Sequence, residues 1–142
     1  MLAANEPIIF IDDDVDDHFI FEEICKNLNL SNHYKFFHNG DAVLQYLRTT
    51  TDRPFIIFCD INMPQMNGLQ LRKAINEDET LREKSIPFVF FSTAPSNQQI
   101  RQAYGLTVQG FFLKEQSFEE TKNTFKLILE YWQKCKHPNS IK

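Results

Sequence analysis

The 142-residue sequence has no long apolar run, and nothing in Met1–Pro7 has the make-up of a secretory leader. Neither a membrane span nor a targeting peptide is expected. Positive charge is not in excess: 15 Lys and Arg stand against 19 Asp and Glu, a net charge of −4. That balance gives no reason to expect nucleic acid or an anionic membrane as partner. Cysteine is scarce, and Cys25, Cys59 and Cys135 match neither a metal spacing nor a disulfide framework. They read as buried or incidental thiols of a reducing cytoplasm, Cys25 toward a core, Cys59 within a strand and Cys135 exposed in the tail. His18, His33, His38 and His137 show no metal spacing and read as solvated or helix-surface residues. No repeat, low-complexity tract or linker interrupts the chain, so one domain is expected, with a core from about Pro7 to Tyr131 and a short tail, His137–Lys142. Folding at this length buries roughly 68–70% of the unfolded surface, and fourteen Phe residues help fill the interior.

What is present alternates between two periods. Short apolar runs at Ile8–Ile11, Tyr34–Phe37, Phe55–Cys59, Phe88–Phe91 and Val108–Leu113 read as strands. Gly110 is a weak point inside the fifth. Helical spacing follows each run. The first helix carries Ile20, Phe21, Ile24, Cys25 and Leu28. The second starts at Asn39-Gly40-Asp41 and carries Val43, Leu44 and Leu47. The third starts near Gly68 and carries Leu71, Ala74 and Ile75. The charged segment Asn76–Ser85 reads as a loop. Ser96 with Gln99 and Ser117 with Glu120 are capping-box pairs for the fourth and fifth helices. The fifth places Phe118, Phe125, Ile128, Leu129 and Trp132 on one face, and Pro138 ends it. Five strand–helix units predict an α/β fold: a doubly wound, five-stranded parallel sheet with five helices on its two faces.

The chain is organised around the stretch from Phe55 to Gly68. Its apolar run suits a strand buried on both faces, and Asp60 stands at the carboxyl end, where open α/β sheets bind ligands. Pro64 holds Met63 extended. Gly68 permits positive φ or a close backbone approach. A turn or helix-cap role would account for Asp60 alone. The first strand ends in Asp12, Asp13, Asp14, Asp16 and Asp17. One like-charge pair at about 4 Å costs on the order of 4 kcal/mol at an effective dielectric near 20. Helix capping accounts for Asp14, Asp16 or Asp17, but not for Asp12 and Asp13 at the strand end itself.

The other strand ends carry Ser92 and Lys114. On one rim, three carboxylates from two strands suit a hard cation such as Mg²⁺, which takes a few carboxylates, waters and phosphate oxygens. Asp60 can act as a nucleophile toward phosphorus. Ser92 can donate to a phosphoryl oxygen, and Lys114 can pair with another as a point charge. Nucleophile, cation and charge neutralisation together meet the needs of phosphoryl transfer to a carboxylate.

Over nearly its whole length the sequence resembles the receiver domain of two-component response regulators, in its stand-alone, single-domain form. The family's acidic pair matches Asp12-Asp13. Its phosphoacceptor segment matches Asp60 through Met63-Pro64-Gln65-Met66-Asn67-Gly68. Its switch hydroxyl matches Ser92, its lysine Lys114 and its switch aromatic Phe111. The resemblance implies the flavodoxin-like strand order 2-1-3-4-5. It further implies a phosphoacceptor rather than an enzyme with an external substrate, one that promotes its own phosphorylation and dephosphorylation. The donor would be a sensor histidine kinase or phosphotransfer protein. Mg²⁺ would bind Asp13, Asp60 and the main-chain carbonyl of Asn62, with Asp12 acting through water. Ser92 would move toward the phosphoryl group and Phe111 would turn inward. The face made by the fourth helix, fifth strand and fifth helix would then change for a downstream protein.

Three departures from the family pattern stand out. Thr93 follows Ser92, so either hydroxyl suits the switch, with register favouring Ser92. Glu115 follows Lys114 where the family usually has proline, which counts against the usual cis peptide. Thr107-Val108 replaces the usual Gly-Ala. Two rival readings use the same residues. Asp12-Asp13-Asp14-Val15 fits the first motif of a haloacid-dehalogenase-like phosphatase, with Ser92 and Lys114 as later motifs, but leaves Asp60 and its loop unexplained. A degenerate receiver serving only as a binding module would accept no phosphoryl group, and the intact set of site residues opposes it.

Overall fold

The computed structural model describes residues 6–30 and 33–140. Five parallel strands form one sheet: β1 (Ile8–Ile11), β2 (Tyr34–Phe37), β3 (Ile56–Cys59), β4 (Phe88–Ser92) and β5 (Gly110–Leu113), in the order β2-β1-β3-β4-β5. Phe10 pairs with Phe36 and Phe58 across β1, and Phe90 pairs with Phe111 across β4 and β5. The helices are α1 (Val15–Asn27), α2 (Gly40–Thr49), α3 (Gly68–Asn76), α4 (Glu79–Lys84), α5 (Asn97–Gly105) and α6 (Phe118–Lys134), followed by a single 3₁₀ turn at Pro138–Ser140.

Every residue of β1, β3 and β4 is buried, as expected where helices cover both faces of a parallel sheet. Alternation divides the core in two. Ile9, Ile11, Ile57, Cys59, Phe88 and Phe90 face α2 through α5. Ile8, Phe10, Ile56, Phe58, Val89 and Phe91 face α1 and α6. The second side is an aromatic layer in which Phe125 of α6 meets Phe10, Phe21, Phe58 and Phe91 at ring-centroid distances of 4.7–5.9 Å. Burying such a side chain contributes about 1.5–3 kcal/mol, with offset or edge-on contacts adding to it.

Several expectations need correction. Six helices stand where five were expected, because Asn76–Ser85 is not a loop throughout. Asp78 caps α4 by accepting from the Leu81 amide, and Leu81 is buried as the helix's apolar anchor. One apolar residue in six is too little to register as periodicity. The fifth strand starts at Gly110, so the glycine opens it and does not interrupt it; Val108 is buried just outside. The turn before it is fixed by Thr107 at φ 61° and by Arg72 of α3. Arg72 is fully buried over the Phe88 ring and donates to the carbonyls of Ser85, Leu106 and Thr107. Burial lowers its pKa to about 10.

His18 and His137 are buried, against expectation, while His33 and His38 are exposed. Phe118, at the start of α6, and Ile20, midway along α1, are partly exposed. Cys135 is half-buried. The Ser117 pair forms only half of a capping box, Ser117 accepting from the Glu120 amide, whereas Ser96–Gln99 is complete and Asn67–Gln70 adds another at α3.

Candidate functional site

The site backbone extends the ladder by one residue beyond three strands. The Asp12 amide donates to the last carbonyl of β2, that of Phe37, at 3.0 Å. The Asp60 amide donates to Ile11 of β1, and that of Lys114 to Ser92 of β4, each at 2.9 Å. Three residues from three strands are thus fixed at one rim by the hydrogen bonds that build the sheet.

Their side chains converge. The Lys114 ammonium lies 2.8 Å from Asp12 Oδ2 and 3.1 Å from Asp60 Oδ2. Asp12 is 1% exposed, and its Oδ1 accepts from the Asp14 amide at 2.9 Å. Asp60 Oδ1 accepts from the Ile61 amide at 2.7 Å and lies 3.4 Å from the Asn62 amide, so the loop orients its carboxylate. Asn62 itself is exposed. Asp13 is exposed, and it, Asp12 and Asp60 can each offer one oxygen with all three within 4.8 Å. This cluster is able to hold a divalent cation, the hard oxygen set that Mg²⁺ takes. Burial pushes the Asp12 carboxyl up to about 7, against the lowering effect of Lys114. For Lys114, burial acts to lower the ammonium, but its bonds to Asp12 and Asp17 outweigh it and the pKa rises. Three carboxylates contact one ammonium, with Asp13 close to two of them, and the donor set fits a second cation.

The loop after Asp60 is shaped by contacts. Gly68 donates to the Ile61 carbonyl at 2.8 Å and starts α3. A Cβ on Gly68 would collide with the Asp60 carbonyl and come within 2.8 Å of the Phe90 ring. Close approach, not positive φ, is what requires glycine there; the left-handed residue of the loop is Gln65, at φ 67°.

Ser92 is fully buried at the end of β4, and its hydroxyl makes no hydrogen bond among the described residues; Thr93 is exposed. Phe111 is half-buried and tilted against Phe90, with ring centroids 5.8 Å apart. The Lys114–Glu115 peptide is trans; Ile86–Pro87 is the cis peptide among the described residues.

Two residues at the site escaped the sequence reading. Asp17, placed among possible caps, lies 2.7 Å from Lys114; Asp14 is the residue that caps α1, accepting from the Asp16 amide. His18 points inward, its Nε2 on the Asp12 carbonyl and its ring stacked on His38 and Phe36. Helical spacing could have placed His18 on the inner face with Phe21 and Cys25. Nothing local pairs Asp17 with a lysine 97 residues away.

The sequence model for the response regulator receiver domain matches residues 8–126. A probable methanogenesis regulatory protein, FilR2 of Methanothrix harundinacea, is 28% identical over 93% of this chain and 88% of its own. The response regulator Rcp1 of Synechocystis is 22% identical over 91% of each chain. The phosphorylated cyanobacterial phytochrome response regulator RcpA superposes with a TM-score of 0.81 at 25% identity, over 91% of this chain and 94% of its own. A manganese-bound form of Rcp1 superposes with a TM-score of 0.78 at 19% identity, over 96% and 97%. With the strand order, the acidic cluster and this match in hand, the chain belongs to the response regulator receiver family.

Proposed function

We propose that Asp60 accepts the phosphoryl group and that the domain works as a single switching unit. One Asp60 carboxylate oxygen attacks phosphorus and a mixed anhydride forms. The bond from phosphorus to the donor, a histidine nitrogen of a kinase or phosphotransfer protein, breaks with its electron pair remaining on that nitrogen. The observation that carries this reading is the Lys114 ammonium seated between Asp12 and Asp60, at the ends of two adjacent strands.

Asp13, Asp60 and the Asn62 carbonyl would hold Mg²⁺, with Asp12 acting through water. The bound ion would supply charge neutralisation for the incoming phosphoryl oxygens. Lys114 then contacts one phosphoryl oxygen. Ser92 gives its hydroxyl a first partner by donating to another, which offsets the cost of its present burial. Movement of β4 at Ser92 reaches Phe111 through its paired neighbour Phe90. The face made of α5, β5 and α6 carries the output to a downstream protein. On it Leu113, Leu127 and Tyr131 are largely exposed, beside a groove of about 390 Å³ between β5 and α6. Among the described residues no helix is long and apolar enough to cross a membrane, and we place the signalling event in the cytoplasm.

Intact-protein mass after incubation with acetyl phosphate tests this. A gain of one phosphoryl group is expected with Mg²⁺, and none without it or in Asp60→Asn. A gain that survives Asp60→Asn would remove Asp60 as acceptor.

A further inference from the structure

The Lys114 ammonium has three N–H bonds, and three carboxylates take them. Two belong to the strand ends, Asp12 and Asp60. The third and shortest, at 2.7 Å, goes to Asp17 in the first turn of α1. The three differ in how firmly they are held. The Asp12 side chain is 2% exposed and has a second bond from the Asp14 amide. That of Asp60 is 10% exposed and has a second bond from the Ile61 amide. The Asp17 side chain is 22% exposed, and among the described residues Lys114 is its one hydrogen-bond partner.

A phosphoryl oxygen on Asp60 can reach the ammonium only if one of those N–H bonds is released. Asp17 is the partner that water can replace at least cost. We propose that Asp17 is a positioning residue for phosphoryl transfer: it parks Lys114 in the unphosphorylated domain and yields it to the phosphoryl oxygen. This inference rests on the receiver reading of the site. It makes Asp17 a competitor of the phosphoryl group, so the charge on one helix side chain sets how far the phosphorylated state is favoured. Asp14 and Asp16 have no such part. Asp14 caps the helix, and Asp16 is exposed and makes no contact with the lysine.

Beryllofluoride, a phosphoryl mimic for aspartate, is titrated in excess Mg²⁺ into wild type, Asp17→Asn and Asp16→Asn. Asparagine keeps the shape and an acceptor oxygen without the charge. Affinity is expected to rise about fivefold in Asp17→Asn, between the worth of an exposed ion pair and that of a buried charged hydrogen bond, and by less than twofold in Asp16→Asn. The gain should persist at about 1 M salt, where the Debye length is about 3 Å and a general field is screened. Asp17→Glu should return affinity toward wild type. The ¹⁵N signal of the Lys114 ammonium should lose its protection from exchange in Asp17→Asn and keep it in Asp16→Asn. Asp17→Ser removes the same carboxylate and is read in the same way if the Asn variant does not fold. Unchanged or weaker affinity in Asp17→Asn, or equal gains in the two Asn variants, would overturn the assignment. Failure of wild type to bind beryllofluoride would instead overturn the receiver reading beneath it.

Discussion

Two lysines are withdrawn from solvent at opposite ends of the sheet, and their partners differ in kind. Lys114, at the carboxyl rim, sits on the carboxylates of Asp12, Asp17 and Asp60. Lys84 closes α4 at the amino end and donates to the carbonyls of Leu47 and Thr50, at 3.0 and 3.1 Å, where α2 runs out. Burial lowers the Lys84 pKa, with Arg53 adding to the effect, whereas the carboxylates raise that of Lys114. A cation on neutral carbonyls is a helix cap, with little to compete for either partner. A cation shared among more carboxylates than it can neutralise is exchangeable, because a metal ion or a phosphoryl oxygen can redistribute the same contacts. The contrast teaches that burial alone does not mark a functional charge; the number and sign of its partners do.

Removing the rim lysine should have the largest effect. Lys114→Met leaves three carboxylates without their ammonium, and losing one partner of a buried pair costs about 3–5 kcal/mol. The sign of the pH dependence follows from Asp12. Its folded carboxyl is already raised above 3.8, to about 7, so the folded state holds a proton that the unfolded chain releases. Stability from this group therefore falls as pH rises from about 4 toward the folded value. Without Lys114 that fall should steepen, and Mg²⁺ should restore stability by binding the folded state alone. Urea unfolding at pH 5 and pH 8, with and without Mg²⁺, checks this. A deficit that is independent of pH and of Mg²⁺ would mean that the rim carboxylates do not share the lysine.

A smaller effect is expected at the amino end, where the polar groups answer neutral partners. The Asn139 amide donates to the carbonyls of Pro54 and Lys84, each at 2.8 Å, while His137 bonds and stacks on Phe55. Asn139→Ala should cost about 2–3 kcal/mol, for two buried carbonyls left without donors, and leave Mg²⁺ affinity unchanged. Calorimetric Mg²⁺ titration beside urea unfolding separates the two. A loss of Mg²⁺ affinity as large as the loss of stability would show that the ends are coupled, and the comparison with Lys114 would fail.

The same division governs what was legible in the sequence. The alternation of strand and helix periods was enough to read a doubly wound parallel sheet, but the order β2-β1-β3-β4-β5 was legible only through the resemblance to the receiver family. Asp12, Asp13, Asp60 and Lys114 were readable because each stands at the end of an apolar run, where topology fixes its place. Asp17 was not, because its role depends on a lysine brought to it by five strands of folding. The amino-end network was hidden for the same reason: His137 meets Phe55, and Asn139 meets Pro54, across separations of 82 and 85 residues. This tail lies beyond the stretch the family shares. The helix α4 was hidden by its composition, since Glu79-Thr80-Leu81-Arg82-Glu83-Lys84 reads as a solvated charge run until Lys84 turns inward.

Lys84→Met is the smallest of these effects and the sharpest test of the contrast. Methionine replaces the stem and removes two hydrogen bonds but also a buried charge, so the net cost at pH 7 should be only about 1 kcal/mol. The pH signature decides the matter. Because the folded pKa of Lys84 is depressed below 10.5, the unfolded chain binds the proton more tightly. Wild-type stability from this group therefore rises as pH climbs through the folded value toward 10.5. The methionine variant lacks that rise, and its deficit should widen between pH 7 and pH 10. For Lys114 the order is reversed: its raised pKa keeps the full contribution up to 10.5 and loses it only above. Over that range the Lys84→Met deficit should widen because wild type gains stability, whereas the Lys114→Met deficit should widen only because the variant keeps losing stability as Asp12 ionises. Parallel curves would mean that carbonyls and carboxylates hold these two lysines in the same way.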